Sequence, residues 1–223
     1  MNAKKHGNGF FWWDNFAGHN YLTQSMKDDC QKINDDYSFF SFVGTHNGGY
    51  YSRDENLCWF HSAWRFIPEN MLYETYKELL CDTDWVQGRW AYPYFFKPDL
   101  RKKVMELKSH DIIESPVLHS LLDDDGYLTV YYGHSEKTMR GAYSWTLDKS
   151  KAIENGYLFA KIVKNNPTFD CVTGKVKLSD VITFINGHSI HEITAMPRKV
   201  INQSKEICNI EDYRREPHGV VKF

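Results

Sequence analysis

One stretch of the sequence decides the fold class: GYLTVYYGHSEKTMRGAYSWTLD, residues 126–148. After a turn at Gly126, the β-branched and aromatic residues 127–132 predict a strand that ends at Gly133. Residues 142–146 predict a second, short strand, and Asp148 is a residue type that caps the N-terminus of a helix. The second half of the chain is therefore predicted to be rich in strands.

The sequence on either side predicts two halves with different secondary structure. Residues 37–43 (YSFFSFV) indicate either a strand or a buried aromatic run, and Asn47-Gly48 predicts a turn. The remaining elements are predicted from apolar periodicity and from helix start and stop signals. They are helices over residues 21–35, 56–67 and 69–82, a helix that begins near Pro98, and strands over residues 174–178, 180–185 and 192–196.

These patterns predict an α+β protein that forms one folded unit of residues 1–223. Within it we expect a helical, aromatic-rich part at residues 1–120, a sheet core at residues 121–205 and a C-terminal tail at residues 206–223. The aromatic content supports the division, because 24 of the 35 Trp, Tyr and Phe residues fall within residues 1–100. The cluster Phe10-Phe11-Trp12-Trp13 is expected either to pack on the chain's own core or to form a surface for a partner or ligand.

Charge and cysteine content restrict the function classes. A formal net charge of −2 argues against a broadly basic nucleic-acid surface, although a local basic groove stays open. The five cysteines are odd in number and contain no CxxC pair, so we expect neither a disulfide framework nor a metal site. We also find no signal-peptide pattern and no apolar run long enough to cross a membrane. These features predict a cytoplasmic protein without a membrane partner.

Ser144, Thr146 and Glu192 form the set of polar residues with the clearest chemical meaning. Because side chains alternate along a strand, Ser144 and Thr146 are expected on one face and Trp145 on the other. Glu192 follows in a later predicted strand and is the only acidic residue between Asp180 and Glu206. Two hydroxyls and a carboxylate are therefore expected on two strands of one sheet.

Residues 126–200 resemble the core of the toxin-type ADP-ribosyltransferases. In that family a first strand carries Arg or His followed by Gly, a second carries Ser-x-Ser or Ser-x-Thr, and a later strand carries the catalytic Glu. The resemblance implies a split β-sheet core, NAD as co-substrate and transfer of ADP-ribose to a macromolecule. The implied catalytic residues are Glu192, Tyr132 and Ser144, and the implied NAD-binding residues are Tyr132, Gly133, His134, Arg140, Ser144 and Thr146.

Two positions depart from the family pattern. Tyr132 replaces the Arg or His of the first strand, so either a positive charge comes from Arg140 or His134, or catalysis is weakened. Ile190 stands two residues before Glu192, where family members that modify arginine have Glu, and this disfavours arginine as acceptor. The resemblance leaves RNA, DNA or protein as the acceptor, and it implies a bacterial or phage toxin or phage-defence effector that an antitoxin or inhibitor protein can restrain. The alternative is a non-catalytic NAD-binding or protein-interaction module.

Overall fold

A computed structural model of the protein describes residues 22–46, 53–82, 97–134, 143–161, 167–187 and 190–213. The chain divides into two compact units, Met1–Leu107 and Lys108–Phe223. Across the described ranges, no helix is long and apolar enough to span a membrane.

The described part of the first unit is helical. The predicted helix over residues 69–82 is confirmed, and so is the helix that begins at Pro98. The prediction over residues 21–35 is confirmed only for a shorter, central segment. The helices are α1 (Gln24–Cys30), α2 (Asp36–His46), α3 (Arg53–Ala63), α4 (Glu69–Asp82) and α5 (Pro98–Leu107).

Helix α2 resolves the two alternatives for residues 37–43. The strand alternative is wrong, because the segment is helical. Phe39, Phe42 and Val43 are all buried, and their spacing of three and four residues places them on one side of a helix. Phe39 packs edge-on against Phe60, and Phe60 contacts Tyr76 with ring centroids 6.0 Å apart. Part of the aromatic excess in the first half therefore forms the unit's own core.

The second unit contains a six-stranded sheet in which every pair of neighbouring strands is antiparallel. The molecule is thus an α+β protein, as predicted. The strand order is β4-β5-β2-β1-β3-β6. Strands β1 and β2, at the middle of this order, are joined through a single opposed pair, Tyr131 with Thr146. The expected split of the sheet stays a prediction. A short helix, α6 (Pro116–Ser120), precedes the sheet in the chain. The strands are β1 (Tyr127–His134), β2 (Ser144–Thr146), β3 (Thr168–Lys177), β4 (Val181–Gly187), β5 (Ile190–Ala195) and β6 (Ile201–Asn209).

The two faces of the sheet have different neighbours. One face, here called the core face, carries Leu128, Val130, Trp145 and Ile193, which pack with one another in a buried cluster. The other face, here called the α7 face, is covered in part by helix α7 (Lys149–Phe159), whose buried residues cluster with Phe169 and Cys171 of β3. The predicted helix cap is confirmed, because the Asp148 side chain accepts a hydrogen bond from the Ser150 amide at 2.8 Å.

Both predicted boundaries of the sheet core need correction. Residues 108–120 group with the sheet, because Ile112 and Leu118 are fully buried in the core-face cluster. Residues 206–209 belong to β6 rather than to a tail, and the next residues form a short turn of helix, Ile210–Tyr213. That turn is anchored where the Tyr213 ring packs against Phe169 with centroids 5.6 Å apart. Residues 214–223 of the predicted tail lie outside the described ranges.

Candidate functional site

A row of three residues crosses the middle of the α7 face. Strand pairing places Tyr131 of β1 opposite Thr146 of β2, and Thr146 opposite Glu192 of β5. Directly opposed residues in antiparallel strands project from the same face, with neighbouring Cα atoms about 5 Å apart. The structure therefore brings the predicted hydroxyl of Thr146 and the predicted carboxylate of Glu192 side by side.

The Thr146 hydroxyl fixes the local backbone. It donates a hydrogen bond to the carbonyl oxygen of His191 at 3.3 Å and accepts one from the Asp148 amide at 3.1 Å. The same His191 carbonyl accepts from the Leu147 amide at 2.9 Å. Since a hydroxyl has a single proton, Thr146 can only accept a further hydrogen bond from a substrate. Thr146 thus ties the residue before Glu192 to the start of α7.

A second row of hydroxyls runs beside the first. Ser144 of β2 lies opposite Thr194 of β5, and Thr194 lies opposite Thr183 of β4. Thr183 and Thr194 are both buried, and the Thr183 hydroxyl donates to the Thr194 hydroxyl at 2.7 Å. The sequence predicted Ser144 but missed both threonines. The period-two spacing of Thr194 from Glu192 was the available signal, because it places both side chains on one face.

The Glu192 carboxylate is partly buried. Burial raises its pKa above the ordinary value of 4.5. Among the residues that the structure describes, none forms an ion pair or a hydrogen bond with the Glu192 side chain. A carboxylate that loses hydration without gaining a partner is less stable when ionised, and a cation placed beside it would restore part of that stability.

Glu192→Gln is expected to raise the stability of the folded protein at neutral pH. The folded state holds the Glu192 proton more tightly than the unfolded chain does. Its contribution to stability is therefore full below about pH 4.5 and is lost as pH rises through the raised folded pKa. Glutamine avoids that loss, which amounts to about 1.4 kcal/mol for each unit of pKa difference. Thermal unfolding followed by circular dichroism at pH 7 and pH 4 measures the effect.

The matched control for this experiment is Glu206→Gln. Glu206 is more than half exposed and pairs with Lys149 at 2.9 Å, and a surface ion pair of this kind contributes only about 0–1 kcal/mol. Glu206→Gln should leave stability unchanged or lower it. An unchanged or lower melting temperature for Glu192→Gln at pH 7 would contradict the burial of an unpaired carboxylate.

Tyr132 and His134 lie on the core face, opposite to Glu192. The Tyr132 and His134 rings are stacked with centroids 5.3 Å apart, and the Tyr132 ring lies 5.8 Å from that of buried Trp145. His134 Nε2 is 3.9 Å from the carboxylate of Asp170. The structure thus does not bring these two predicted residues together with Ser144, Thr146 and Glu192.

Gly133 has a packing explanation. A Cβ atom at this position would lie 1.7 Å from the carbonyl oxygen of Ala152 and 2.7 Å from the amide nitrogen of Gly156, both in α7. The backbone of the helix therefore fills the space that a side chain would need, and the glycine lets α7 approach β1. Its predicted contact with NAD stays a prediction.

The remaining predicted site residue, Arg140, lies outside the described residues. Within the described ranges, no group of three or more His, Cys, Asp or Glu residues is arranged to hold a metal ion. The chain matches no protein-family model, and it has no significant match among curated proteins or solved structures.

Proposed function

We propose that this protein is an NAD-dependent ADP-ribosyltransferase that acts on a macromolecular acceptor. The observation that carries the proposal is the partly buried carboxylate of Glu192, which has no ion pair or hydrogen bond with the described residues and lies in register with Thr146 on one face of the sheet. The sequence resemblance over residues 126–200 supports the same reading, and it points to the same Glu192 as the catalytic group.

The reaction requires a negative charge at the position where positive charge develops. The bond between nicotinamide and the ribose breaks, and its electron pair leaves with nicotinamide. Positive charge then spreads over the ribose C1 and ring oxygen until a nucleophile of the acceptor bonds to C1 and loses its proton. A fixed carboxylate stabilises that charge without reorganisation, as carboxylates do in glycoside hydrolysis. In this proposal Glu192 is the carboxylate, while Ser144 and Thr146 hold the ribose and the strand that carries Glu192.

The acceptor in this proposal is RNA, DNA or protein, with arginine disfavoured by Ile190. A nucleobase acceptor would be recognised largely by stacking, because the near-neutral net charge provides little general attraction to phosphate. The biological role that fits such an activity is that of a bacterial or phage toxin or a phage-defence effector, with an antitoxin or inhibitor protein as a possible partner.

A second candidate function is an NAD-binding or interaction module that does not turn NAD over. The position of Tyr132 and His134 on the core face favours it, because both residues then face away from the row that holds Glu192. This candidate predicts that NAD stabilises the protein against heat and is recovered intact after incubation.

The experiment that tests the proposal uses purified full-length protein and NAD labelled on the adenine side. The protein is incubated with labelled NAD and, in separate reactions, with cellular RNA, DNA and protein. We expect release of nicotinamide and label in one of the three fractions. Binding of NAD without release of nicotinamide would support the module instead, and absence of both binding and turnover would exclude the NAD-dependent functions.

A further inference from the structure

The two adjacent tyrosines of β1 point to opposite sides of the sheet. Tyr132 occupies the position that the family resemblance indicates, but it packs on the core face beside Trp145. Tyr131 lies on the α7 face, directly opposite Thr146. We infer that Tyr131, rather than Tyr132, contacts the nicotinamide and ribose end of NAD beside Glu192. The inference rests on the proposed function and assigns a further binding residue to the same site.

The geometry of the row limits what a bound ribose can touch. A ribose held at Glu192 lies beside the neighbouring strand, where Thr146 is buried and its hydroxyl already hydrogen-bonds the His191 carbonyl oxygen and the Asp148 amide. The next group along the row is the ring of Tyr131, roughly 10 Å from Glu192 between Cα atoms. Tyr131 is partly exposed at the edge of the cluster formed with α7, so part of its ring stays available. A phenol can stack on an aromatic ring and can also hydrogen-bond a sugar hydroxyl.

The lysine nearest to Thr146 in the sequence already forms an ion pair. Lys149, at the first position of α7, donates a hydrogen bond to Glu206 at 2.9 Å, and its electrostatic neighbours include Tyr131 and Cys171. A carboxylate therefore balances the Lys149 charge. Among the described residues of the row, Tyr131 therefore offers an aromatic ring for recognition and not a positive charge.

The test compares Tyr131→Leu and Tyr131→Phe with Tyr127→Phe in steady-state NAD consumption. Tyr127 lies on the same face of the same strand, four residues from Tyr131 and away from the row. Loss of ring stacking in Tyr131→Leu is expected to raise the KM for NAD about tenfold, within the roughly 5- to 150-fold range typical of base stacking on aromatic residues. Loss of the hydroxyl alone in Tyr131→Phe should raise KM about two- to tenfold. In both variants kcat should change less than KM, and Tyr127→Phe should retain the wild-type KM.

Tyr131→Phe removes a single oxygen atom, so it keeps the test meaningful if Tyr131→Leu fails to fold. A wild-type KM in the folded Tyr131 variants would overturn the inference, and so would a rise in KM in Tyr132→Phe without one in the Tyr131 variants. If wild-type protein consumes NAD and Glu192→Gln does not, either of these two KM results overturns the assignment of Tyr131 and leaves the proposed function intact. If wild-type protein neither binds nor consumes NAD, the proposed function fails and the inference fails with it.

Discussion

Glu192→Gln is expected to reduce NAD turnover by about 100-fold or more while the protein stays folded. Glutamine keeps the shape of the side chain and removes its charge, so it loses the stabilisation of positive charge on the ribose. Removal of one preorganised electrostatic group from an active site lowers kcat by roughly 10²–10³. The measurement is nicotinamide release by wild-type and variant protein at saturating NAD. If the activity is toxic, growth on expression should recover in parallel.

The matched control is Glu154→Gln, which makes the same chemical change in α7. Glu154 forms a partly buried ion pair with Lys151 at 2.7 Å, and it lies on the helix rather than in the row. This control should retain turnover. Equal turnover of NAD by wild-type and Glu192→Gln protein would contradict the proposed mechanism, whichever acceptor is used.

The pH dependence of turnover provides an independent check on the same carboxylate. Only the ionised form of Glu192 stabilises positive charge, and burial raises its pKa above 4.5. Turnover is therefore expected to fall as pH decreases through a value above that of an ordinary glutamate. The residual turnover of Glu192→Gln should not show this decrease at low pH. The combination of higher stability at pH 7 and lost turnover in one variant is typical of a charge that is retained for function at the expense of the fold.

Local patterns in the sequence predicted those helices and strands whose residue propensities favour the same conformation that burial in the folded protein requires. Helix α4 and strand β1 are examples, since each combines regular apolar spacing with clear boundary residues. Strand β6 was missed because residues 201–207 are exposed and the strand lies at the edge of the sheet. It therefore has no alternation of buried and exposed residues that a period-two search can detect. In α2 the aromatic residues favour a strand locally, but burial of Phe39 and Phe42 on one side of a helix prevails.

The candidate site was predicted in part for a similar reason. Alternation within β2 correctly placed Ser144 and Thr146 together, because that rule acts within one strand. Whether Tyr131 or Tyr132 lies on the same face as Thr146 depends on the register between β1 and β2. A shift of one residue moves every side chain of the strand to the opposite face. Sequence alone does not fix that register. The pairing of Tyr131 with Thr146 supplies it.

Gly133→Ala is expected to destabilise the second unit by at least about 3 kcal/mol. The added Cβ would lie 1.7 Å from the backbone oxygen of Ala152, and no rotation of a side chain relieves an overlap with backbone. Helix α7 would have to move away from β1 and give up part of its buried contact with Phe169 and Cys171. Overpacking typically costs about 1–3 kcal/mol, and clashes that displace a backbone lie at or above the upper end. Chemical denaturation of the purified variant measures the loss.

Whether Gly133→Ala stabilises or destabilises the protein distinguishes two roles for Gly133: space for a ligand, or close packing of α7 on β1. If the space beside Gly133 were open for a ligand, alanine would be neutral or would stabilise the strand by roughly 0.5–1 kcal/mol, since glycine is the less favourable residue within a strand. If α7 fills the space, alanine must destabilise. Gly126→Ala is the matched control: Gly126 has φ +76° and nothing within 4 Å of an added Cβ, so only backbone strain of about 1–2 kcal/mol is expected. A Gly133→Ala protein as stable as wild type would show that α7 does not pack closely against β1. The hydrogen bond from the Asp148 amide to the Thr146 hydroxyl depends on the same packing, so it would be contradicted too.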